Sequence, residues 1–578
     1  MPEGMTHRPA APPYTGPDSA ERAGPGATPE STGTLESVDG AIPPELVSGG
    51  AATARAVSAA IGTAPASTSP IPNAGLEQGE EAAAEAVATA GSTPSAQHAA
   101  LDRSLVRGVA WMGTVRLGAQ AASWASTLIV ARLLTPRDYG LVGMGTLFMG
   151  LVTILSEFGI GTSIVTLRKL TQEQIAQINT VSVLFGITGF LVSCLAALPL
   201  AWFFKEPLLP PVVIALATAF VITSFRTVPY ALLQRDLRFK RLAAVEGMQA
   251  LLLAVAAVFF AWAGFHYWTL VISSLLGATF STAIVLYFHR HSFARPRRET
   301  LSEAITFSRN IIVSRLSFYW FSNADYLVAG RVLGNTAFGA YQLAYTLSMT
   351  VIEKTSGLVL KVTPSVFSSV QHDKPALRRY WLGVTEGIAL VTFPLTIGLA
   401  LVARDVVTLI LGAKWVPMVG ALQILALYAA VRSLLPLTSQ VLVATGRSRT
   451  DAIISLQIAI TMPIAFWIGS YWGVTGIAAA WALVHPIFGL RITYRGFGRA
   501  GTTAGAYLAA LWPAASSAAI MAAAVVTTGL VIPESWPGGA RLALTVLAGA
   551  GSYAAAVMML HRRRVMAFRQ LWVSLRRR

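Results

Sequence analysis

The chain has 578 residues, of which 54% are hydrophobic and only 12% charged, with a mean hydropathy of +0.58. Soluble domains carry about 25% charged residues, so composition alone indicates an integral membrane protein, with no nucleic acid among its expected partners. The net charge of +17 conceals an asymmetry: residues 1–100 hold 11 acidic and 3 basic side chains, the rest of the chain 16 acidic and 41 basic.

Residues 1–100 are Ala, Pro, Gly, Ser, Thr and Glu with almost no aromatics. Such a segment cannot bury enough apolar surface to offset its ordering entropy and is expected to be a disordered tail. It lacks the basic start and short apolar core of a secretory signal. Its role is either that of a solvated tail or that of a partner-binding, regulatory one.

A membrane span needs about 20 predominantly apolar residues. From residue 101 onward fourteen segments qualify: 105–131, 139–160, 178–200, 210–232, 242–263, 268–289, 305–331, 337–365, 379–403, 417–443, 451–470, 474–496, 505–530 and 541–561. The loops between them form two alternating sets. The first set comprises 168–177, 233–241, 289–304, 366–380, 444–450 and 495–504; it carries most of the loop Lys and Arg. The second comprises 132–138, 201–209, 264–267, 332–336, 404–416, 471–473 and 531–540. The positive-inside rule then places the first set and both termini in the cytoplasm. The tail "HRRRVMAFRQLWVSLRRR", with seven arginines, agrees and suits anionic lipid headgroups. No loop is long enough to hold a catalytic domain, which disfavours an enzyme acting on a water-soluble substrate.

The chain repeats itself. "LIVARLLTPRDYGLV" (128–142) aligns without gaps on "LVAGRVLGNTAFGAY" (327–341), pairing Arg132 with Arg331, Leu134 with Leu333, Tyr139 with Phe338 and Gly140 with Gly339. "LRFKRLAAVEGMQ" (237–249) aligns on "TGRSRTDAIISLQ" (445–457), pairing Gln249 with Gln457. Residues 101–300 and 301–500 are therefore expected to be parallel six-span bundles, followed by two additional spans in 501–561 and a basic tail, 562–578. In the shared turn, the glycine is expected to end a tight loop and the arginine to reach headgroups or water.

Charges inside the spans narrow the chemistry. Arg116 and Arg315 occupy repeat-related positions near mid-span, where an isolated arginine costs from ~3 to more than 10 kcal/mol. Arg226 and Arg432 form a looser pair in the fourth and tenth spans, and the eighth span holds Glu353, Lys354 and Lys361. Two readings stand. In one, carboxylates neutralise the arginines: Arg116 with Glu157, Arg315 with Asp325 or Glu353, while Arg226 snorkels to the interface. In the other, a cavity lined by Arg116, Arg315, Lys354, Arg432, Arg226 and Lys361 grips an anion, above all a diphosphate that arginine holds bidentately. Tyr319, Trp320, Asn323 and Tyr345 are then candidates for sugar contacts, and Glu157, Asp325 and Glu353 for counter-charges or for H+ or Na+ coupling. Further in-span acids are Glu246 and Glu386.

Other chemistry is missing from the sequence. There is no GxxxxGK[ST] loop, no histidine spacing suited to a metal, and a single cysteine, Cys194. No cofactor is expected. His485, deep in a span, reads as a packed, hydrogen-bonded histidine before a proton relay.

"STLIVARLLTPRDYGLVGM", "LSEFGIGTSIV", "PYALLQRDLRFKRLAAVE" and "NADYLVAGRVLGNTAFGAYQLAY" resemble the Wzx-like polysaccharide flippases of the MOP exporter superfamily. The resemblance covers residues 101–500; the long N-terminal tail departs from it. It implies an all-α membrane protein of two six-helix bundles in a V shape, moving a lipid-linked oligosaccharide diphosphate between leaflets by alternating access. A polymerase and glycosyltransferases are its implied partners. Three alternatives remain: a lipid II flippase of the same superfamily, a cation-coupled multidrug antiporter, which would need a carboxylate-rich cavity, and a membrane polymerase or ligase, which would need a large outer loop.

Overall fold

In the computed structural model the described residues are 122–157, 170–236, 238–297, 322–533 and 535–562, with the single positions 118, 164, 316, 319 and 320. All belong to the compact unit His98–Arg578. Arg116 and Arg315, the first hundred residues and residues 563–578 of the basic tail lie outside them.

The described chain is helical. The elements are α1 (122–133), α2 (Pro136–Glu157), α3 (Gln172–Phe204), α4 (Leu209–Arg235), α5 (Phe239–Trp262) and α6 (Trp268–Phe288), followed by α7 (322–333), α8 (Gly334–Ser369) and α9 (Lys374–Asp405). Then come α10 (Val419–Arg432), α11 (Leu435–Ala444), α12 (Ser448–Ser470), α13 (Gly473–Leu483), α14 (His485–Ala500), α15 (Ala504–Val531) and α16 (Gly538–Leu560). Among the described residues, ten helical segments are long and apolar enough to cross a membrane. Four expected spans are not among those ten. The first and seventh lie mostly outside the described residues; the second and eighth are the continuous helices α2 and α8.

Two expected spans are broken where a single helix was anticipated. Segment 417–443 is split into α10 and α11, and segment 474–496 into α13 and α14, each second helix carrying a proline in its first turn. Pro436 and Pro486 lack an N–H and clash with the preceding turn, so the ladder stops and restarts there.

Several loops of the same expected set lie together. Arg132 Nη1 donates to the Leu409 and Ile410 carbonyls at 2.6 and 2.8 Å, so loops 132–138 and 404–416 lie together. Arg331 stands over the Phe203 ring at 5.5 Å, bringing the α3–α4 loop to the same end. There, burial raises the Glu206 carboxyl above the usual range, opposed by Arg137 and by a hydrogen bond with Asn335. At the other end, Asn179 and Thr180 near the start of α3 donate to the Ser292 and Ala294 carbonyls, and Arg297 pairs with Glu173 at 3.2 Å.

Helices α3 to α6 pack on one another, as do α8 to α14, while α15 and α16 pack on α9 and on each other. The two groups meet chiefly where α2 crosses α8. "TPRDYG" explains this crossing residue by residue. Thr135 and Asp138 form a reciprocal cap, Thr135 Oγ1 donating to Asp138 Oδ2 at 2.6 Å and Asp138 N to Thr135 Oγ1 at 3.3 Å. Pro136 takes the first helical position, where a missing N–H costs nothing. Gly140 then lies within α2, not at the end of a turn: a Cβ there would overlap the Asn335 carbonyl oxygen, and a Cβ on its repeat partner Gly339 would overlap that of Pro136. The repeat signature therefore marks a reciprocal backbone contact between the two helices.

Arg132 is exposed, within reach of headgroups or water, and also bonds to the chain. It satisfies carbonyls left over at the end of α9, where a π-helical segment, Val406–Leu411, ends at Gly412 with φ +101°. The exchange is mutual, since Lys414 Nζ donates to the Arg132 and Leu133 carbonyls at 2.6 and 3.2 Å and Trp415 Nε1 to the Ala131 carbonyl at 2.8 Å.

Replacing Gly140 or Gly339 by Ala should lower the thermal midpoint of the detergent-purified protein by several degrees. Gly247→Ala, at an open helical position, should leave it within about 1 °C, because alanine is the better helix former there. Equal midpoints for all three variants would contradict a tight crossing.

Candidate functional site

The charged spans converge on one cluster in the α7–α14 group. Asp325 on α7 is fully buried. One of its oxygens, Oδ2, accepts from Tyr341 Oη of α8 at 2.6 Å and from Trp481 Nε1 of α13 at 3.0 Å. The same indole N–H lies 3.0 Å from Tyr341 Oη, which closes a three-membered knot.

Arg432 sits beside this knot at the end of α10. Its Nη1 donates to Tyr345 Oη at 2.8 Å, and its guanidinium carbon lies 5.0 Å from the Trp481 ring centroid, 5.6 Å from that of Tyr345 and 5.9 Å from that of Tyr428. Each such ring contributes roughly 0.5–2 kcal/mol to holding a cation away from water. His485 packs against the same rings, 5.5 Å from Trp481 and 5.8 Å from Tyr428. Tyr326 touches Tyr341 and Tyr345 edge-on.

The helix breaks described above give this arrangement its shape. Arg432 is the last residue of α10, three residues before the restart at Leu435, and His485 opens α14 just after the break that follows Trp481. Both discontinuities therefore lie at the cluster. Interrupted helices at membrane depth are tolerated where protein or water satisfies their backbone, and here Arg432 and the rings surround them.

The remaining expected residues are distributed as follows. Arg226 is half-buried and its Nη1 donates to Ser281 Oγ and, at 3.5 Å, to Gln249 Oε1. The repeat partner of that glutamine, Gln457, also accepts from a guanidinium, but from Arg491 of α14 at 2.9 Å. The acceptor is thus common to the two repeats, and the donor comes from a different helix. Tyr319 donates to the Leu147 carbonyl of α2 and Asn323 Nδ2 to the Tyr319 carbonyl at 2.9 Å. Trp320, Glu353 and Lys361 are exposed. Glu157 ends α2 and Lys354 lies within α8, but their side chains, like Arg116 and Arg315, are outside the described residues. Glu246 accepts from Tyr230 Oη at 2.7 Å.

Of the expected set, then, Asp325, Tyr345 and Arg432 are brought together, and Arg226 is held separately in the other group of helices. The pairing considered for Asp325 with Arg315 lies outside the described residues, within which Asp325 accepts hydrogen bonds from Tyr341 and Trp481. These two, and Tyr428, were not anticipated. A tyrosine ladder at helical spacing, Tyr341 and Tyr345 in "AYQLAY", was the available signal; nothing local singles out Trp481. Among the described residues no group of His, Cys, Asp and Glu could hold a metal, and Cys194 is a free thiol.

With this geometry in hand, comparison with known proteins is informative. A sequence model of the family described as "Polysaccharide biosynthesis protein" matches residues 129–420. The chain is 23% identical over 397 residues to the lipopolysaccharide biosynthesis protein WzxC of Escherichia coli K12, covering 67% of this chain and 80% of that one. It is 26% identical to the teichuronic acid biosynthesis protein TuaB of Bacillus subtilis, over 58% of this chain and 71% of that one. Its fold matches the inward closed conformation of the lipid II flippase MurJ, with a TM-score of 0.65 over 79% of this chain and 99% of that one, at 13% identity. It also matches an inward-facing MATE family transporter of the MOP superfamily, with a TM-score of 0.56 over 68% and 99% of the two chains, at 18% identity. An all-helical, multi-pass chain with this fold and these relatives belongs to the polysaccharide biosynthesis protein family, as a membrane transport protein and not an enzyme.

Proposed function

We infer that the protein is a flippase that carries a polyprenyl-diphosphate-linked oligosaccharide across the cytoplasmic membrane by alternating access, for surface polysaccharide synthesis. On this reading residues 101–300 and 301–500 are the two six-helix bundles of a V-shaped transporter. Residues 501–561 add two spans, and both termini are cytoplasmic. Anionic lipids surround it, and a polymerase and glycosyltransferases act after and before it.

The observation that carries the reading is Arg432. Its partners among the described residues are a tyrosine hydroxyl and three aromatic faces, and none of them is a directly bonded carboxylate. A guanidinium held in this way keeps most of its donors for an incoming phosphoryl group, and the rings around it offer faces to a sugar. Arg116, Arg315, Lys354, Lys361 and Arg226 supply further positive charge toward the same anion, with Tyr319, Trp320, Asn323 and Tyr345 as sugar contacts. Glu157, Asp325 and Glu353 are the counter-charges, and any coupling to H+ or Na+ passes through them.

The hydrogen bonds given above between the two groups of helices gather around loops 132–138 and 404–416 and the α2–α8 crossing, whereas Glu353 and Lys361 farther along α8 are exposed. This supports a state closed at the first end, with a charged vestibule toward the other. The lipid II alternative draws on the MurJ likeness, which is one of fold; the relatives named above favour surface polysaccharide precursors.

The direct test is transfer of a fluorescent polyprenyl-diphosphate glycan in proteoliposomes. Arg116→Ala, Arg315→Ala and Arg432→Gln should each reduce the transfer rate at least ~10-fold, the scale of one lost charge-assisted contact, with normal membrane insertion. Wild-type rates in all three would overturn the anion-site reading, and equal transfer of lipid II would favour the alternative. Arg132→Ala with Lys414→Ala should instead keep substrate binding and shift the conformational balance, read as increased labelling of a cysteine introduced at Ala131. Unchanged labelling would remove these cations from the closure.

A further inference from the structure

We propose that the ends of α9, α11 and α14 form a specific site for the headgroup of an anionic phospholipid, separate from the transport pathway. Two grooves flank the last turn of α14. One, of about 380 Å³, is lined by Arg447, Arg495 and Arg499 together with Leu442, Thr450 and Gly498. The other, of about 400 Å³, is lined by Lys374, Arg378 and Arg379 near the start of α9, with Ala500 and Gly501. Six cations thus converge from three segments that are distant in the chain. None of them has an ion pair among the described residues. The two acids in the same loops are engaged locally: Asp373 caps α9 by accepting from Ala376 N at 3.0 Å, and Asp451 accepts from Ser439 Oγ at 2.7 Å.

The ligand's phosphoryl chemistry follows from the arginines; its lipid nature follows from α14. Ile487, Leu490 and Tyr494 are 63%, 72% and 75% exposed and succeed one another at helical spacing on one face. The next position on that face is Gly498, a wall of the arginine-lined groove. An exposed apolar stripe that runs up to a basic pocket matches a molecule with acyl chains below and an anionic head above. A free phosphate would use the pocket alone, whereas a lipid would use the pocket and the adjoining stripe together. Tyr380 and Tyr494, both exposed, stand at the level where aromatic side chains anchor to the interface. In the orientation proposed above, the site faces the cytoplasmic leaflet, where anionic lipids attract such clusters.

The test uses the full-length protein purified in a neutral detergent. Native mass spectrometry and thermal stabilisation are measured with phosphatidylglycerol, with phosphatidylcholine of the same chains, and with inorganic phosphate. Each basic side chain near an anionic lipid surface contributes about fivefold to binding. The triple variant Arg447→Gln, Arg495→Gln, Arg499→Gln should therefore lose at least ~10-fold of the preference for phosphatidylglycerol. The corresponding triple Lys variant should keep most of it, and Arg238→Gln with Arg241→Gln, in a basic loop of the other group, should leave it unchanged. Should the Gln triple fail to purify as a single species, Arg495→Gln and Arg499→Gln singly read out the same preference. Undiminished preference in the Gln variants would overturn the proposal. So would stabilisation by inorganic phosphate equal to that by phosphatidylglycerol, which would mark a site for a free anion.

Discussion

Two helix backbones in van der Waals contact set the geometry of this molecule. At the α2–α8 crossing, each helix presents a glycine to the other's carbonyl oxygen, Gly140 to Asn335 and Gly339 to Pro136. Within a bilayer, lipid tails are as apolar as leucine, so helices gain little from hydrophobic burial against each other and rely on close packing instead. Small residues allow that approach, and here they occur where the two groups of helices chiefly meet. The position of every other element relative to the crossing follows: the capped start of α2, the π-helical ends of α7 and α9, and the clustering of loops 132–138, 332–336 and 404–416.

Polar groups in the rest of the molecule obey a single constraint. A donor or acceptor withdrawn from water must find a partner or cost several kcal/mol. Around loops 132–138 and 404–416 the leftover carbonyls of α1 and α9 are satisfied crosswise, by Lys414 and Trp415 in one direction and Arg132 in the other. In the interior, Asp325 is satisfied by a tyrosine and a tryptophan, and Arg432 by a tyrosine hydroxyl and three rings. Of the first set, the cations Arg132 and Lys414 are exposed and can exchange their contacts for water, while Trp415 is buried. The second is enclosed, which suits a fixed element of a binding surface.

Much of the architecture was legible in the sequence, for definite reasons. Hydropathy gave the order of the spans because a bilayer imposes a length on each. The alternation of basic loops gave their division into two sides because a chain crossing repeatedly cannot do otherwise. The pairing of Gly140 with Gly339 was also visible, but its meaning was misread. A glycine near a loop suggests a turn, and only a partner helix in space shows that the missing Cβ is what matters. The breaks after Arg432 and around Pro486 went unseen because hydropathy averages over a window and ignores a missing N–H. Trp481 went unseen because its partner Asp325 lies 156 residues away, beyond the reach of any local pattern. The site's charges could be enumerated, but which of them meet is a property of the packing alone.

The glycine contact also bears on permeability. On the proposed reading, a carrier of a large glycolipid must open wide enough to pass many sugars, and in its resting state must still hold back protons and small ions. Side chains make an imperfect plug, since rotamer changes open transient gaps wide enough for water. Backbones pressed together through glycine have no rotamers. If this crossing seals one end of the transport path, as proposed, the seal is built from stiff material, and a wide gate need not be a leaky one.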